Sequence, residues 1–142
     1  MAKKSDLISQ SAILPYRLRK TGPEFLLITS IGSGRWVLPK GHINSNMTPR
    51  QSAIKEAFEE AGINGRVPKT SFGIYTYSKK DEPGVPHYQV EVFTMRVICV
   101  LNAWPEELRR TREWMSPKKA SDSVEEGALS RMMLDFAGEL ER

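Results

Sequence analysis

Apolar positions recur along this chain in two periods, one fitting strands and the other fitting helices. Residues 11–18 (SAILPYRL) and 25–29 (FLLIT) are apolar and partly β-branched, and Thr21-Gly22-Pro23 between them is turn chemistry, so together they predict a hairpin. Ile31-Gly32-Ser33-Gly34 reads as a loop into Trp36-Val37-Leu38, after which Pro39 ends central strand pairing. A helix follows over about 48–61. Thr48 and Gln51 form a T-x-x-Q capping box, Pro49 suits the first helical position, and Gly62 is the stop signal. Thr70 to Ser78 and Tyr88 to Leu101 read as strands around the polar loop Lys79 to Gly84, and Arg112 to Met115 as a shorter strand. Ser116-Pro117 starts a turn or short helix. Val124, Ala128, Leu129, Met132, Met133 and Phe136 fall at helical spacing and predict a terminal amphipathic helix over about 124–140.

Composition narrows the class. A chain of 142 residues, 39% hydrophobic and 27% charged, fits one domain with a single core; it argues against disorder and against a two-domain enzyme. No apolar run approaches the roughly 18 to 20 residues that cross a bilayer. Asp6, Ser9, Gln10 and Ser11 interrupt any signal-like segment after Lys3 and Lys4, so the expectation is a cytoplasmic protein with no membrane partner. Cys99, between Ile98 and Val100, has no second cysteine and is expected to be a small buried hydrophobe. The net charge of +4 is uneven: residues 1–40 carry +5, 41–62 carry −1, 63–120 carry +4 and 121–142 carry −4. Positive stretches thus flank a locally acidic one, which suits an anionic ligand near carboxylates; an unevenly charged solvated surface is the plainer alternative.

The acidic stretch lies on the helix. Glu56, Glu59 and Glu60 share an arc of about 100°, opposite Ala53, Ile54, Ala57, Phe58 and Ala61. A solvated acidic face would explain this, but two local rules are broken. Glu56 and Glu60 are an i, i+4 like-charge pair, and Glu59 and Glu60 occupy the last turn, where the helix dipole favours cations. A bound divalent cation would reverse both penalties. Oxygen ligands point to Mg²⁺ or Mn²⁺, and with one Cys and only His42 and His87 a Zn²⁺ site has little support.

Residues 41–63, GHINSNMTPRQSAIKEAFEEAGI, resemble the Nudix box, whose pattern is G, five residues, E, seven residues, then R-E-U-x-E-E-x-G-U with U apolar. Gly41, Glu56, Ala57, Glu59, Glu60, Gly62 and Ile63 match in register, while Met47 replaces the first Glu and Lys55 the Arg. Residues 34–41 (GRWVLPKG) and Arg112-Glu113-Trp114 are similar to the diphosphoinositol polyphosphate and diadenosine polyphosphate hydrolase branch. The resemblance implies a Nudix-type α/β/α sandwich with a mixed β-sheet, and Mg²⁺-dependent hydrolysis of a pyrophosphate bond in a small-molecule nucleoside polyphosphate or diphosphoinositol polyphosphate. It also implies that Glu56 and Glu60 bind metal, helped by the backbone carbonyl of Lys40 or Gly41. Glu59 becomes the candidate to orient or deprotonate water, alongside Glu56 and the metal.

Basic residues would hold the phosphates. Arg35 and Lys40 precede the box, Lys79, Lys80 and His87 flank the loop between the two long strands, and Arg110 and Arg112 lie in a basic run; surface solvation is the alternative for each. Ser30 at the site edge and Glu91 as an extra ligand are weaker candidates, and Trp36 and Trp114 fit core packing better than base stacking. The competing function is a Nudix-fold module that binds nucleotide or polyphosphate with weakened turnover, for which Met47 and Lys55 speak. No basic motif interleaved with aromatics is present, so nucleic acid is not the expected partner.

Overall fold

The computed structural model describes residues 7–78 and 86–142, so Lys79, Lys80 and most of the loop predicted between the long strands lie outside the described residues. In chain order the elements are β1 (Leu7–Arg19), β2 (Gly22–Thr29), β3 (Trp36–Val37), β4 (Lys40–His42), α1 (Pro49–Glu56) running into a π-helical turn (Ala57–Ala61), β5 (Ile63–Arg66), β6 (Gly73–Ser78), β7 (His87–Val100), β8 (Arg112–Met115), α2 (Pro117–Ser123) and α3 (Gly127–Leu140).

The strands form one mixed sheet. Its spine is β1 against β7, paired in parallel from Leu7↔His87 to Tyr16↔Arg96, while every other pairing is antiparallel. On its other side β1 changes partner, meeting β4 over residues 10–12 and β2 over 16–19. Pro15 falls between these two pairings, where a residue lacking an amide hydrogen costs the ladder least, and Pro39 lies opposite, its carbonyl accepting from the Ile13 amide at 3.0 Å.

Side-chain alternation along β1 splits the core. Ala12 and Leu14 face one way and pack with Val90, Val92, Leu129, Met133 and Phe136 beneath α2 and α3. Ile13 faces the other way and packs with Phe93, Met95, Ala53, Ala57 and Ala61 beneath α1 and its π turn. The result is the expected α/β/α sandwich. No helix among the described residues is long and apolar enough to cross a membrane.

Several boundaries differ from the sequence reading for identifiable reasons. β1 starts at Leu7 because parallel pairing with β7 carries the polar Ser9, Gln10 and Ser11 into the sheet. The terminal helix starts at Gly127 and not at Val124, which is extended backbone buried in the core; the short helix expected at Ser116-Pro117 is α2, capped by Ser116 accepting from the Lys119 amide. Strands β4 and β5 carry no apolar periodicity and come from pairing alone. Phe58, assigned to the apolar helix face, is 43% exposed. Cys99 is exposed, contrary to expectation, because β7 runs beyond the apolar layers and its end pairs with β5 while Ile98, Cys99 and Val100 remain open to solvent.

The catalytic-box helix is fixed at both ends. Thr48 Oγ1 accepts from the Gln51 amide at 3.1 Å and Gln51 Oε1 accepts from the Thr48 amide at 2.9 Å. Gly62 ends the helix in the left-handed region at φ 66°, and a Cβ there would lie 2.7 Å from Trp104 Cγ. Gly62→Ala should therefore lower stability by about 1 to 3 kcal/mol, against about 1 kcal/mol for Thr48→Ala, as measured by urea unfolding of the full chain.

Candidate functional site

The helix that carries the three glutamates widens over its last turn. The Gly62 amide donates to both Ala57 O and Phe58 O, so the turn accommodates one extra residue, a geometry frequent at functional sites. Ala53, Ala57 and Ala61 stay fully buried against the sheet, and the carboxylates take three different environments. Glu56 lies on Gly41, where a Cβ would come within 2.6 Å of the Glu56 carboxyl carbon; any side chain at residue 41 would evict that carboxyl. Glu60 points inward and is 8% exposed. Glu59 remains partly exposed, paired with Lys55 Nζ at 2.8 Å.

Glu60 is the unusual group. Its Oε1 accepts from the Lys40 amide at 3.2 Å, and its Oε2 lies 3.5 Å from Arg110 Nη2. Burial nevertheless pushes its carboxyl up to about 8, reinforced by a hydrogen bond to the neighbouring Glu56 carboxyl, and the nearby guanidinium opposes this without cancelling it. Without a bound cation Glu60 is thus held toward its neutral form, hydrogen-bonded to Glu56. Lys55 is raised as well, but in favour of its charged form: its hydrogen bond to Glu59 holds the ammonium above the usual lysine range.

The misplaced negative charge at the carbonyl end of the helix has compensation that the sequence reading did not find, because it comes from far along the chain. Trp104 Nε1 donates to the Glu60 carbonyl at 3.1 Å. Arg112 Nη1 donates to the Ala61 carbonyl at 2.8 Å and Nη2 donates to Leu101 O, with the guanidinium 3.8 Å over the Trp104 ring. A cation on the last carbonyls offsets the helix dipole. Arg112 is therefore committed to the helix end, and it is not among the residues lining the cavity described next.

That cavity, about 480 Å³, is lined by Gln10, Ser30, Ile31, Ser33, Arg35, Val37, Leu38, Lys40, Glu60, Tyr77, Arg110 and Glu125. Of the residues singled out from sequence it brings together Arg35, Lys40, Arg110, Ser30 and Glu60. Lys40 Nζ stands 5.4 Å from the centre of the Tyr77 ring, and Tyr77 donates to Gln10 Oε1 at 3.0 Å. Arg110 is nearly enclosed, donating to Glu106 Oε1 at 2.9 Å and to Thr29 O at 3.0 Å. Arg35 Nη1 donates to Glu125 at 2.9 Å and to Glu126 at 3.4 Å. The loop from Ser30 to Arg35 is held by mutual hydrogen bonding of the Ser30 and Ser33 hydroxyls and by the Arg35 amide donating to Ser30 Oγ at 3.2 Å.

Other candidates lie elsewhere. His87 opens β7 opposite Leu7 and Ser78, and Glu91 stands on β7 between Ser11 and Ile74. Trp36 and Trp114 pack against the two core clusters, as expected. Gln10, Ser33, Tyr77, Glu106, Glu125 and Trp104 were not singled out as site residues; only Gln10, a polar interruption before an apolar run, carried a local signal. Among the described residues no three His, Cys, Asp or Glu side chains form a ready-made metal cluster.

Comparison with known proteins agrees with this geometry. The chain is 27% identical to Nudix hydrolase 12, mitochondrial, of Arabidopsis thaliana, covering 89% of this chain and 70% of that one. It is 32% identical to Nudix hydrolase 21, chloroplastic, of the same plant, covering 75% and 54%. It is 25% identical to human diphosphoinositol polyphosphate phosphohydrolase 3-alpha, covering 78% and 65%. Against the second and third of these the chain spans less than two thirds of the relative's length. The fold matches a Caenorhabditis elegans Ap4A hydrolase with a TM-score of 0.72 at 19% identity, covering 95% and 98% of the two chains. The NUDIX domain matches residues 9–135, and with nearly the whole chain inside that match this protein belongs to the Nudix hydrolase family.

Proposed function

We propose that this chain hydrolyses a phosphoanhydride bond in a nucleoside polyphosphate or diphosphoinositol polyphosphate, using Mg²⁺, in the cavity bounded by Glu60, Lys40, Arg35 and Arg110. The observation that carries this reading is the buried Glu60 carboxyl, accepting from the Lys40 amide and hydrogen-bonded to the Glu56 carboxyl beside it. Two adjacent carboxyls, one of them buried and held toward its neutral form, fit a hard divalent cation, and Gly41 leaves Glu56 the space to turn toward one. Glu56 and Glu60, with the backbone carbonyl of Lys40 or Gly41, would hold it. When bound, Mg²⁺ (or Mn²⁺) neutralises phosphate charge and lowers the pKa of attacking water.

The chain's own residues account for the rest. Arg35 and Lys40 bind phosphate oxygens and orient the phosphoanhydride. Glu59 accepts a proton from water as the water oxygen bonds to phosphorus; the bridging P–O bond breaks and its electron pair leaves on the departing phosphate. Lys55 holds the Glu59 carboxylate in position through their 2.8 Å pair, in place of the arginine of the family pattern. The second reading, a binding module with weakened turnover, rests on Lys55 and on Met47, whose sulfur meets Asn44 Nδ2 at 3.7 Å and Ser52 Oγ at 3.8 Å. Products from a panel of pyrophosphate compounds with Mg²⁺ decide between the two: binding without product on every compound supports the module.

Glu60→Gln is expected to lower kcat by about 100-fold or more with Mg²⁺ saturating, and Glu59→Gln by about 10² to 10⁴-fold with little change in KM; full turnover in the Glu59 variant would move the base elsewhere. Because the Glu60 carboxyl is raised in the folded state, its protonation stabilises the protein below about 4.5 and that contribution is lost as pH rises through about 8. Melting temperature without metal should therefore decline across that window, Mg²⁺ should restore more of it at pH 8.5 than at pH 5.5, and Glu60→Gln should flatten both responses.

A further inference from the structure

Three cations line the cavity, Arg35, Lys40 and Arg110, and a carboxylate other than the helix glutamates stands among them: Glu125, from the segment joining α2 to α3. Arg110 is 10% exposed and already engaged by Glu106, Glu60 and Thr29 O, which limits what it can offer a ligand. Arg35 is 30% exposed and carries Glu125 and Glu126 on one terminal nitrogen. The two acids differ. Glu126 is 13% exposed, a fixed support behind the guanidinium, whereas Glu125 is 66% exposed and lines the cavity itself. A phosphate approaching Arg35 therefore meets a second anion competing for the same donor, and each added phosphate on that part of the substrate raises the repulsion.

We infer that Glu125 is a specificity-determining residue: it sets an upper limit on the negative charge that a substrate can bring beside Arg35. The cavity accordingly favours a phosphoanhydride whose attached moiety is neutral and rich in hydrogen-bond donors, such as a nucleoside, over a densely phosphorylated ring. Ser30, Ser33, Gln10 and Tyr77, which supply neutral polar groups on the same wall, suit such a moiety. This assignment rests on the hydrolase reading and narrows it between the two substrate classes.

The test uses the full chain as wild type, Glu125→Gln and Glu125→Ala, with Glu139→Gln on the exposed face of α3 as an equal charge change away from the cavity. Binding is read by calorimetry with inositol hexakisphosphate and with ADP as probes, and turnover with a diphosphoinositol polyphosphate and a dinucleoside tetraphosphate plus Mg²⁺. Removing the Glu125 charge is expected to shift both the binding ratio and the kcat/KM ratio toward the inositol compound by about two- to fivefold, mainly through Kd and KM, with both variants agreeing and Glu139→Gln leaving the ratios in place. Unchanged ratios, or an equal shift in Glu139→Gln, overturn the role of Glu125 while leaving hydrolysis intact. Turnover of neither compound by any variant counts against the hydrolase reading instead, and the two binding probes still decide whether Glu125 discriminates.

Discussion

Glu60 is a carboxyl buried at the carbonyl end of a helix, one turn from a second carboxyl, and much of the surrounding structure is arranged so that this is possible. Burial, the helix dipole and Glu56 all oppose its ionisation. The Lys40 amide and Arg110 act on its side chain, while Trp104 and Arg112 act on the carbonyls of its turn. The supports come from the start of β4 and from the segment running into β8, so the carboxyl is placed by tertiary structure and not by its helix. Gly41 and Gly62 are the two positions where this assembly leaves no space for a Cβ: one lies under the Glu56 carboxyl and the other under Trp104.

The arginines of the basic run divide their work. Arg110 faces the cavity and holds Glu60 and Glu106, whereas Arg112, two residues on at the start of β8, closes the helix end over Trp104. Near neighbours of the same charge thus take different places, one on the cavity wall and one at the helix end. The same division holds for the acids that meet Arg35, where Glu126 is an enclosed support and Glu125 an exposed presence in the cavity.

What could be read from residues alone was whatever depends on local periodicity or spacing. Thr48, Gln51 and Gly62 mark the helix ends where they are found, and the spacing of Glu56, Glu59 and Glu60 singled out the helix end that the structure finds partly enclosed and supported from afar. Tyr88 to Leu101 was bounded to within one residue of β7, but β1 was begun too late, because the pairing that draws Leu7 to Gln10 into it involves residues some 80 positions away. Cys99 illustrates the opposite failure: V-I-C-V has the look of core, yet that stretch runs past the apolar layers. The π turn, the enclosure of Glu60 and the presence of Glu125 have no signature in local sequence, since each arises when distant segments meet.

The parallel pairing of β1 with β7 also bears on how the molecule is made. These strands stand at opposite ends of the chain's first hundred residues, and the cavity wall needs contributions from Gln10 through to Glu125. Joining them closes a loop that contains the whole helix–strand middle of the protein, an ordering cost met before the pairing yields any stabilisation. On a ribosome, the hairpin of β1 and β2 emerges with its spine edge open and waits until β7 has been synthesised. Slow, late closure of that spine, with a bare strand edge exposed meanwhile, makes the nascent chain most vulnerable to aggregation just before its ligand cavity first exists.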